Sequence, residues 1–480
     1  MQSYCTRAEH RCGAPQITAH THSTRLVTYS HRYRARLAAF VGAACFFTAF
    51  AASAQTSAAP ASLPADSADC CFAEGLRIAQ EYRVGAITTR RFTHAAFWRA
   101  VEPWLASSAF RTRDVGKSLQ GRAIRTVTFG EGETTVLLWS QMHGDESTAT
   151  MALADIFRYL ATAPGDSLRE RLRQRLTVTF IPMLNPDGAQ VFQRRNAAGV
   201  DVNRDARELA TPEARALKAV GDAVKPDFGF NLHDQNARTL AGPRGKQAAI
   251  ALEVPAYSAD GSYNTVRGHA RLVAATVARM LSTEIPGRVS KYDETFNPRA
   301  FGDNMQKWGV STVLIESGAL PGDPEKQRLR ALNVAAILGA LDAIATGAYA
   351  GADTASYEML PSNEGGAHNV LILGGRLALP GEEPLRIDLA IDFDDAVAHR
   401  GPRLRDAGDL REAVSIDTVD ASGLFIHPVG SSLGRGDGGA RLLLGAPAHF
   451  EIRRGASRAS ELVRTIGGAA SSETGRRRRQ

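Results

Sequence analysis

Four side chains on three separated segments have the types and spacing for metal-assisted chemistry. They are His143 and Glu146 in Gln141-Met142-His143-Gly144-Asp145-Glu146, His233 in Phe230-Asn231-Leu232-His233-Asp234, and Glu316 closing Val313-Leu314-Ile315-Glu316. Two imidazoles and one carboxylate suit a zinc ion bound at roughly 2 Å, with the fourth position left to water. One negative ligand beside two neutral ones leaves the ion net positive, able to polarise a carbonyl and acidify its water. Glu316 is the second acid of the set. A carboxylate ending a run of Val, Leu and Ile costs several kcal/mol if buried unpaired, so it is either salt-bridged or at work as a general base and then acid.

These residues need elements that bring them together. His143 and Glu146 follow the strand-like run Thr135-Val136-Leu137-Leu138-Trp139 and precede a helix-like stretch from Ser147 to Leu160. Positions three apart share one side of a helical turn, so both side chains can reach one ion. Phe228 to Leu232 and Val310 to Ile315 repeat the pattern of a strand leading into a functional residue. Open α/β sheets carry their sites at such carboxyl ends of strands. Taken singly, each feature has a plainer reading: an exposed turn for His-x-x-Glu, a core histidine for His233, a salt bridge for Glu316.

Their company decides between the readings. Asn185-Pro186-Asp187-Gly188 follows, then Arg194-Arg195-Asn196-Ala197-Ala198-Gly199-Val200-Asp201-Val202-Asn203-Arg204-Asp205, then His233 and Glu316, in one order. From about Val115 to Ala345 the chain resembles the zinc metallocarboxypeptidases (carboxypeptidase A-like). The resemblance implies that His143, Glu146 and His233 hold Zn2+ and that Glu316 is the catalytic glutamate. It implies further that Asn203 and Arg204 bind the substrate's terminal carboxylate, a task for a planar guanidinium fork. Arg194 matches the arginine that polarises the scissile carbonyl and steadies the oxyanion, with Arg195 one register step away as the alternative. Asp201 matches the carboxylate that orients the first zinc histidine. Tyr292 is the counterpart of the family's mobile tyrosine. The specificity pocket falls around Arg299 to Asp303, where Arg299 suits an acidic terminal side chain or pairs with Asp303 or Asp293. Asp145 departs from the pattern, standing where many members have an arginine that reaches subsites further from the bond.

The remainder of the 480 residues frames this unit. Leu37 to Ala54 is apolar, follows Arg32, Arg34 and Arg36, and ends in Ala52-Ser53-Ala54, the order of a secretory signal peptide. Export is therefore expected, with cleavage after Ala54, a linker over 55–69 and no membrane contact thereafter. The polar stretch before Arg32 is long for such a leader and suits a start downstream of Met1. A retained anchor and lipidation at Cys45 are the competing readings, and Gly42 stands where lipidation would want an aliphatic residue. Cys5, Cys12 and Cys45 fall in the leader, and the neighbours Cys70 and Cys71 do not suit a disulfide with each other. The formal charge is +7, yet residues 1–36 and 451–480 contribute +5 each, so the part between them carries −3. A nucleic-acid-binding face is not implied.

Phe92 to Leu105 reads as a helix with an apolar face. Ile124 to Phe129 and Thr135 to Trp139, around Gly130-Glu131-Gly132, read as a hairpin. Leu176 to Ile181 is a further strand, and helices are expected at Pro212 to Val224, Val266 to Ser282 and Pro324 to Ala345. The fold class is thus α/β, a mixed sheet flanked by helices over 70–350, with a small β-rich domain over 360–452 and a basic, disordered tail over 453–480. Val370 to Ile391 also resembles the β-sandwich segment flanking amidohydrolase barrels, without that group's metal ligands. The expected activity is that of an exported zinc exopeptidase whose partner is a peptide with a free C-terminal carboxylate. Two alternatives stand beside it: an amidohydrolase of the same fold acting on cell-wall peptides or acylated amino acids, and a peptide-binding protein without catalysis.

Overall fold

The computed structural model describes residues 66–436 and 439–467. The leader expected over 1–54, most of the linker and the run Arg476 to Arg479 lie outside them. Helices α1 (Asp66–Glu81) and α2 (His94–Leu105) lead into strands β1 (Phe110–Lys117), β2 (Ala123–Gly130) and β3 (Thr134–Ser140). Helices α3 (Thr148–Thr162) and α4 (Ser167–Arg175), strand β4 (Leu176–Ile181), and helices α5 (Pro186–Val191) and α6 (Pro212–Val224) come next. Strands β5 (Phe228–Asp234), β6 (Leu240–Ala241) and β7 (Ile250–Glu253), then α7 (Thr265–Glu284), β8 (Val289–Lys291), α8 (Phe301–Lys307), β9 (Ser311–Ser317) and α9 (Gln327–Thr346) complete the α/β layers.

Eight strands form one mixed sheet in the order β1-β2-β4-β3-β5-β9-β7-β8. Strands β4, β3, β5 and β9 are parallel neighbours, while β1 and β2 on one flank and β7 on the other join in antiparallel sense. Both faces are covered, as sheets with parallel cores require. Val136, Leu138, Phe230, Leu232, Val313 and Ile315 point into a core shared with α3, α7 and α9. The alternate residues Leu137 and Trp139 pack on the other face with Leu217, Phe301 and Met305. Local signals fix the helix starts: Thr211 accepts from Ala214 N ahead of Pro212, and Asn264 accepts from Arg267 N.

The expected hairpin between β2 and β3 does not form, because β4 lies between them. Gly130 and Gly132 are not tight-turn residues. They let the connection press on the start of β4, where a Cβ on Gly132 would lie 1.9 Å from the Arg175 carbonyl carbon. The true hairpin is β1 with β2, and β1 escaped notice because its sequence FRTRDVGK is mostly exposed and shows no apolar alternation.

After α9, the short helix α10 (Ala355–Glu358) and strand β10 (Asn363–Glu364) lead into the β-rich part, and β10 pairs with β6. There β11 (His368–Leu377), β12 (Leu385–Asp395), β13 (Arg400–Gly408), β14 (Ser415–Asp420) and β15 (Phe425–Pro428) are followed by a ribbon of β16 (Leu433–Gly436) and β17 (Gly439–Leu442). Strands β18 (His449–Arg453) and β19 (Leu462–Gly467) finish a seven-stranded sheet. The stretch expected to be a disordered tail from 453 thus begins with a paired strand, in which Ile466 is buried against the sheet. At the other end, the last residues of the expected linker already belong to α1. The β-rich part is tied to the α/β layers by Arg90 and Asp395, by Arg238 and Asp392 at 3.3 Å, and by Arg244 and Glu412 at 2.8 Å.

Candidate active site

Three adjacent parallel strands, β3, β5 and β9, deliver the site residues at or just past their carboxyl ends. His233 and Glu316 are register partners on β5 and β9. Past the end of β3, Gln141 adopts a φ of +52°, the left-handed region that L side chains rarely adopt, and turns the chain away from the strand direction. Glu146 N then donates to His143 O at 3.1 Å, so the pair sits on one closed turn rather than on a helix.

The Asn185-Pro186-Asp187-Gly188 segment holds this turn in place. Asn185 caps α5 by accepting from Gly188 N at 2.9 Å, and its Nδ2 donates to Met142 O and Arg194 O, both at 3.3 Å. Gly144 lies so close to the segment that a Cβ there would be 2.0 Å from the Gly188 carbonyl carbon. Asp187 accepts from Ser118 Oγ, Gln120 N and Arg122 Nη1 at 2.7, 3.0 and 2.6 Å, anchoring the same segment to the β1–β2 hairpin. The sequence motifs are therefore parts of one interlocked platform.

On it, His143 Nδ1 lies 2.8 Å from Glu146 Oε1 and His233 Nδ1 lies 2.6 Å from Glu146 Oε2. The three ligand atoms lie within 4.8 Å of one another and all three residues are buried. Two imidazole nitrogens directed at one carboxylate form a donor set that fits a zinc ion. The far nitrogen of His143, Nε2, is 3.0 Å from Asp201 Oδ1, which fixes the proton there and leaves Nδ1 for the ion. Asp201 also receives Arg194 at 3.0 Å and Asn203 N at 3.0 Å, and Arg194 Nη1 reaches Glu146 Oε1 at 3.1 Å.

The electrostatics agree with a place for a cation. Burial disfavours a charged imidazole, yet Glu146 and Asp201 outweigh it and push His143 up to about 9. Burial also works against the Glu146 and Asp201 anions, but His143 and His233 hold the Glu146 carboxyl, and His143 and Arg194 the Asp201 carboxyl, below the ordinary range. His233, fully enclosed, is pulled down by burial. Burial, and then the charge of Glu146, push Glu316 well above the usual carboxylate range, and its Oε2 has no hydrogen-bond partner among the described residues. Carboxylates gathered around two imidazole nitrogens make a place where a bound divalent ion would replace the proton that His143 holds in its absence.

A cavity of about 520 Å³ opens over the group. Arg194, Asn203, Arg204 and Tyr292 all line it, beside the three ligands and Glu316. The charge of Glu316, and then burial, raise the Tyr292 phenol. Asn203 Oδ1 accepts from Phe301 N at 2.9 Å and its Nδ2 stands 3.5 Å from His233 Nε2, so it braces the ligand as well as facing the cavity. Of the two register choices, Arg194 is in the site, whereas Arg195 donates to Gly199 O at 3.0 Å and lines no part of the cavity. Arg299 is a correction: it is exposed outside the lining, its Nε 3.4 Å from Arg204 O, and it pairs with neither Asp303 nor Asp293. The bend from Asn297, whose N donates to Asp303 Oδ1 at 2.7 Å, turns Asp303 inward and Arg299 out.

Sequence reasoning passed over two groups. Asp234 accepts from Thr148 Oγ1 at 2.6 Å and Lys326 Nζ at 2.9 Å, and its own N donates to Glu146 Oε2 at 3.2 Å. This buried set clamps the ligand carboxylate from behind, and only the position of Asp234 next to His233 hints at it. The second group is Asn231 and Glu253, buried in the cavity wall. Glu253 ends the apolar run Ala248 to Leu252, the same signal that singled out Glu316.

Comparisons with known proteins bear on the same region. Residues 105–247 match the family model described as zinc carboxypeptidase, a span that holds His143, Glu146, Arg194, Asp201, Asn203, Arg204 and His233 but ends before Glu316. An uncharacterized protein of Zymomonas mobilis is 31% identical over 127 residues, 26% of this chain and 33% of that protein. Carboxypeptidase 2 of Trichophyton rubrum is 26% identical over 160 residues, 32% of this chain and 29% of that one. These alignments span about a third of the relatives' own length. Among solved structures, a metallo-carboxypeptidase from Burkholderia cenocepacia matches with a TM-score of 0.41 and 21% identity, over 52% of this chain and 69% of that chain.

Proposed function

We propose that this chain, whose catalytic layers belong to the zinc carboxypeptidase family, is an exopeptidase that hydrolyses the last amide bond of a peptide bearing a free C-terminal carboxylate. One observation carries the reading: His143, Glu146 and His233 present ligand atoms within 4.8 Å of one another, at the wall of a cavity that also holds Glu316, Arg194 and Arg204. A zinc ion held by the three would supply Lewis acidity to the scissile carbonyl and to water.

The protein's own groups divide the remaining work. Arg204 has a guanidinium with one Nη engaged on Asn203 O at 2.7 Å, leaving donors for the terminal carboxylate. Arg194, held by Asp201 and Glu146, is oriented to donate to the carbonyl oxygen as charge develops there. Glu316 takes a proton from water at its carboxylate as the hydroxyl adds to the carbonyl carbon. It returns that proton to the amide nitrogen as the C–N bond breaks, releasing one amino acid and a peptide shortened by one residue. Tyr292, beside Glu316, suits a contact to the bound end.

The test is single-residue release from peptides with free and with amidated ends, by protein stripped with a chelator and reloaded with zinc. Release from free ends only, lost on stripping and restored by zinc, is expected. Cleavage of acylated amino acids or D-linked cell-wall peptides in preference to ordinary ends would move the assignment to the amidohydrolase. Zinc binding without any turnover would leave a peptide-binding protein. We also propose export, supported by the basic, apolar and small-residue order of Arg32 to Ala54. A mature amino terminus at Gln55 in secreted or periplasmic material is the expected result.

A further inference from the structure

One strand repeat back from the His233–Glu316 row, the sheet carries a second row of cavity-facing residues. Asn231 on β5 pairs in register with Leu314 on β9, which pairs with Glu253 on β7. Register neighbours point to the same face, and residues two apart on a strand share that face. Asn231 therefore lies behind His233, Leu314 behind Glu316, and Glu253 behind Ala251, about 6.6 Å further along the strands. The intervening residues Phe230, Leu232, Val313, Ile315 and Leu252 all go to the opposite core, which confirms the phase. Helix α8 closes this end of the cavity: a Cβ on Gly302 would lie 3.0 Å from Pro255 and 3.4 Å from Asn231 Nδ2, and Asp303 follows it into the lining.

The chemistry of this floor is unsatisfied. Asn231 is 1% exposed and neither its Oδ1 nor its Nδ2 has a partner. Glu253 is 6% exposed, lines the cavity, and takes no side-chain hydrogen bond or ion pair from any described residue. Asp303, 4% exposed, has one oxygen on Asn297 N. Among the described residues the lining holds two arginines, Arg194, committed to Asp201 and Glu146, and Arg204, and no lysine. Buried carboxylates are paired in folded proteins or belong to a site that a ligand completes. Burial, and then the charges of Asp303 and Glu316, raise the Glu253 carboxyl well above the usual carboxylate range, and burial takes Asp303 up to about 6 against the pull of Asn297 N and Arg204.

We propose that Asn231, Glu253 and Asp303 form a receptor for a cationic group, so that the preferred substrate ends in a residue whose side chain carries an ammonium or guanidinium. The proposal rests on the exopeptidase reading above for its placement of the terminal carboxylate at Arg204. It reverses the acidic preference that Arg299 suggested from sequence. A lysine-like stem would lie along Leu314 with its charge between the two acids, while Asn231 Oδ1 accepts a further N–H.

The experiment compares acyl-dipeptides ending in Lys, Arg, Leu, Gln and Glu on the full zinc-loaded chain, and measures binding of free L-lysine and L-leucine calorimetrically. Ends with Lys or Arg should exceed Leu and Glu ends by at least about tenfold in kcat/KM, as expected when buried polar groups select their partner. Glu253→Gln should cut the Lys-to-Leu ratio by about tenfold or more, and Glu253→Lys should turn the preference toward Glu ends. Asp303→Asn should move the ratio in the same direction by less. Leu, Gln or Glu ends cleaved as fast as Lys overturn the proposal, as does a ratio unchanged in both Glu253→Gln and Asp303→Asn. If no end is released but lysine binds more tightly than leucine and Glu253→Gln abolishes the difference, the receptor stands and the exopeptidase reading falls. Absence of both release and lysine preference overturns the two together.

Discussion

Replacing Asp201 by Asn tests whether the site is organised around a cation rather than merely crowded. The Asp201 carboxylate accepts from His143 Nε2 at 3.0 Å, from Asn203 N at 3.0 Å and from Arg194 Nε at 3.1 Å. An amide of the same shape keeps one acceptor and gains a donor. If its oxygen stays on His143, its NH2 faces the Arg194 guanidinium; if it flips, it faces the imidazole N–H. Either way one contact turns from attraction to donor against donor. Loss of such a histidine-orienting partner lowers metal affinity by about 10- to 100-fold, or about 1.4–2.7 kcal/mol. Arg194 is loosened at the same time, and an oxyanion donor is worth about 10²–10³ in kcat. Zinc affinity is read by competition with a chromophoric chelator, and turnover at saturating zinc is read separately. Both should fall. An unchanged affinity in a variant with native circular dichroism would refute the claim that Asp201 sets the tautomer of a zinc ligand.

Glu316→Gln should bind zinc as the parent does while kcat drops by about 10²–10⁴, the usual worth of a positioned acid–base; turnover near the parent's would remove Glu316 from the reaction. Gly144→Ala must push the His143 turn off the Gly188 carbonyl carbon, now 2.0 Å from the ideal Cβ. An overpacking cost of about 1–3 kcal/mol is expected in urea unfolding, with weaker zinc binding. Arg330 and Asp155 are each 1% exposed and bridge α9 to α3, and Arg330 also donates to Val84 O and Ile87 O. Arg330→Met should cost about 3–5 kcal/mol by stranding the carboxylate, and Asp155→Leu added to it should recover much of that. A single variant as stable as the parent in denaturant titration would contradict the pair's burial.

The residues proposed to hold a cation and to work on water were legible because their chemistry is costly elsewhere. A histidine or a glutamate at the end of an apolar strand needs a reason, and three such strand ends in one order supply it. The strands that end in the site were legible for the same reason: they are buried on both faces over most of their length, and Val136 to Trp139 and Val313 to Ile315 read as unbroken apolar runs. Strand β1, exposed along most of its length, left no such trace, and the Gly130-Glu131-Gly132 stretch looked like a hairpin turn although its glycines serve a close approach to β4. Sequence spacing also cannot tell which way a side chain leaves a bend. Arg299 and Asp303 stand four apart, yet the turn capped by Asp303 on Asn297 N sends one into the cavity and the other into solvent.

That reversal carries a general consequence for specificity in this molecule. The residues proposed to hold the cation and to grip the carboxylate lie on loops and strand ends with distinctive composition, whereas the floor of the cavity is written in strand phase. Whether Glu253 faces the substrate or the opposite core depends on its being an odd or an even number of residues from Leu252 and Ala251. That parity is invisible until β7 is known to pair antiparallel with β9 at Glu253↔Leu314. A one-residue slip of that pairing would turn Glu253 into the core that Ile250, Leu252 and Val254 now fill and bring those apolar side chains to the cavity floor. The charge selected by the cavity is therefore a property of register, and any substitution that shifts β7 against β9 should alter substrate preference before it alters zinc binding.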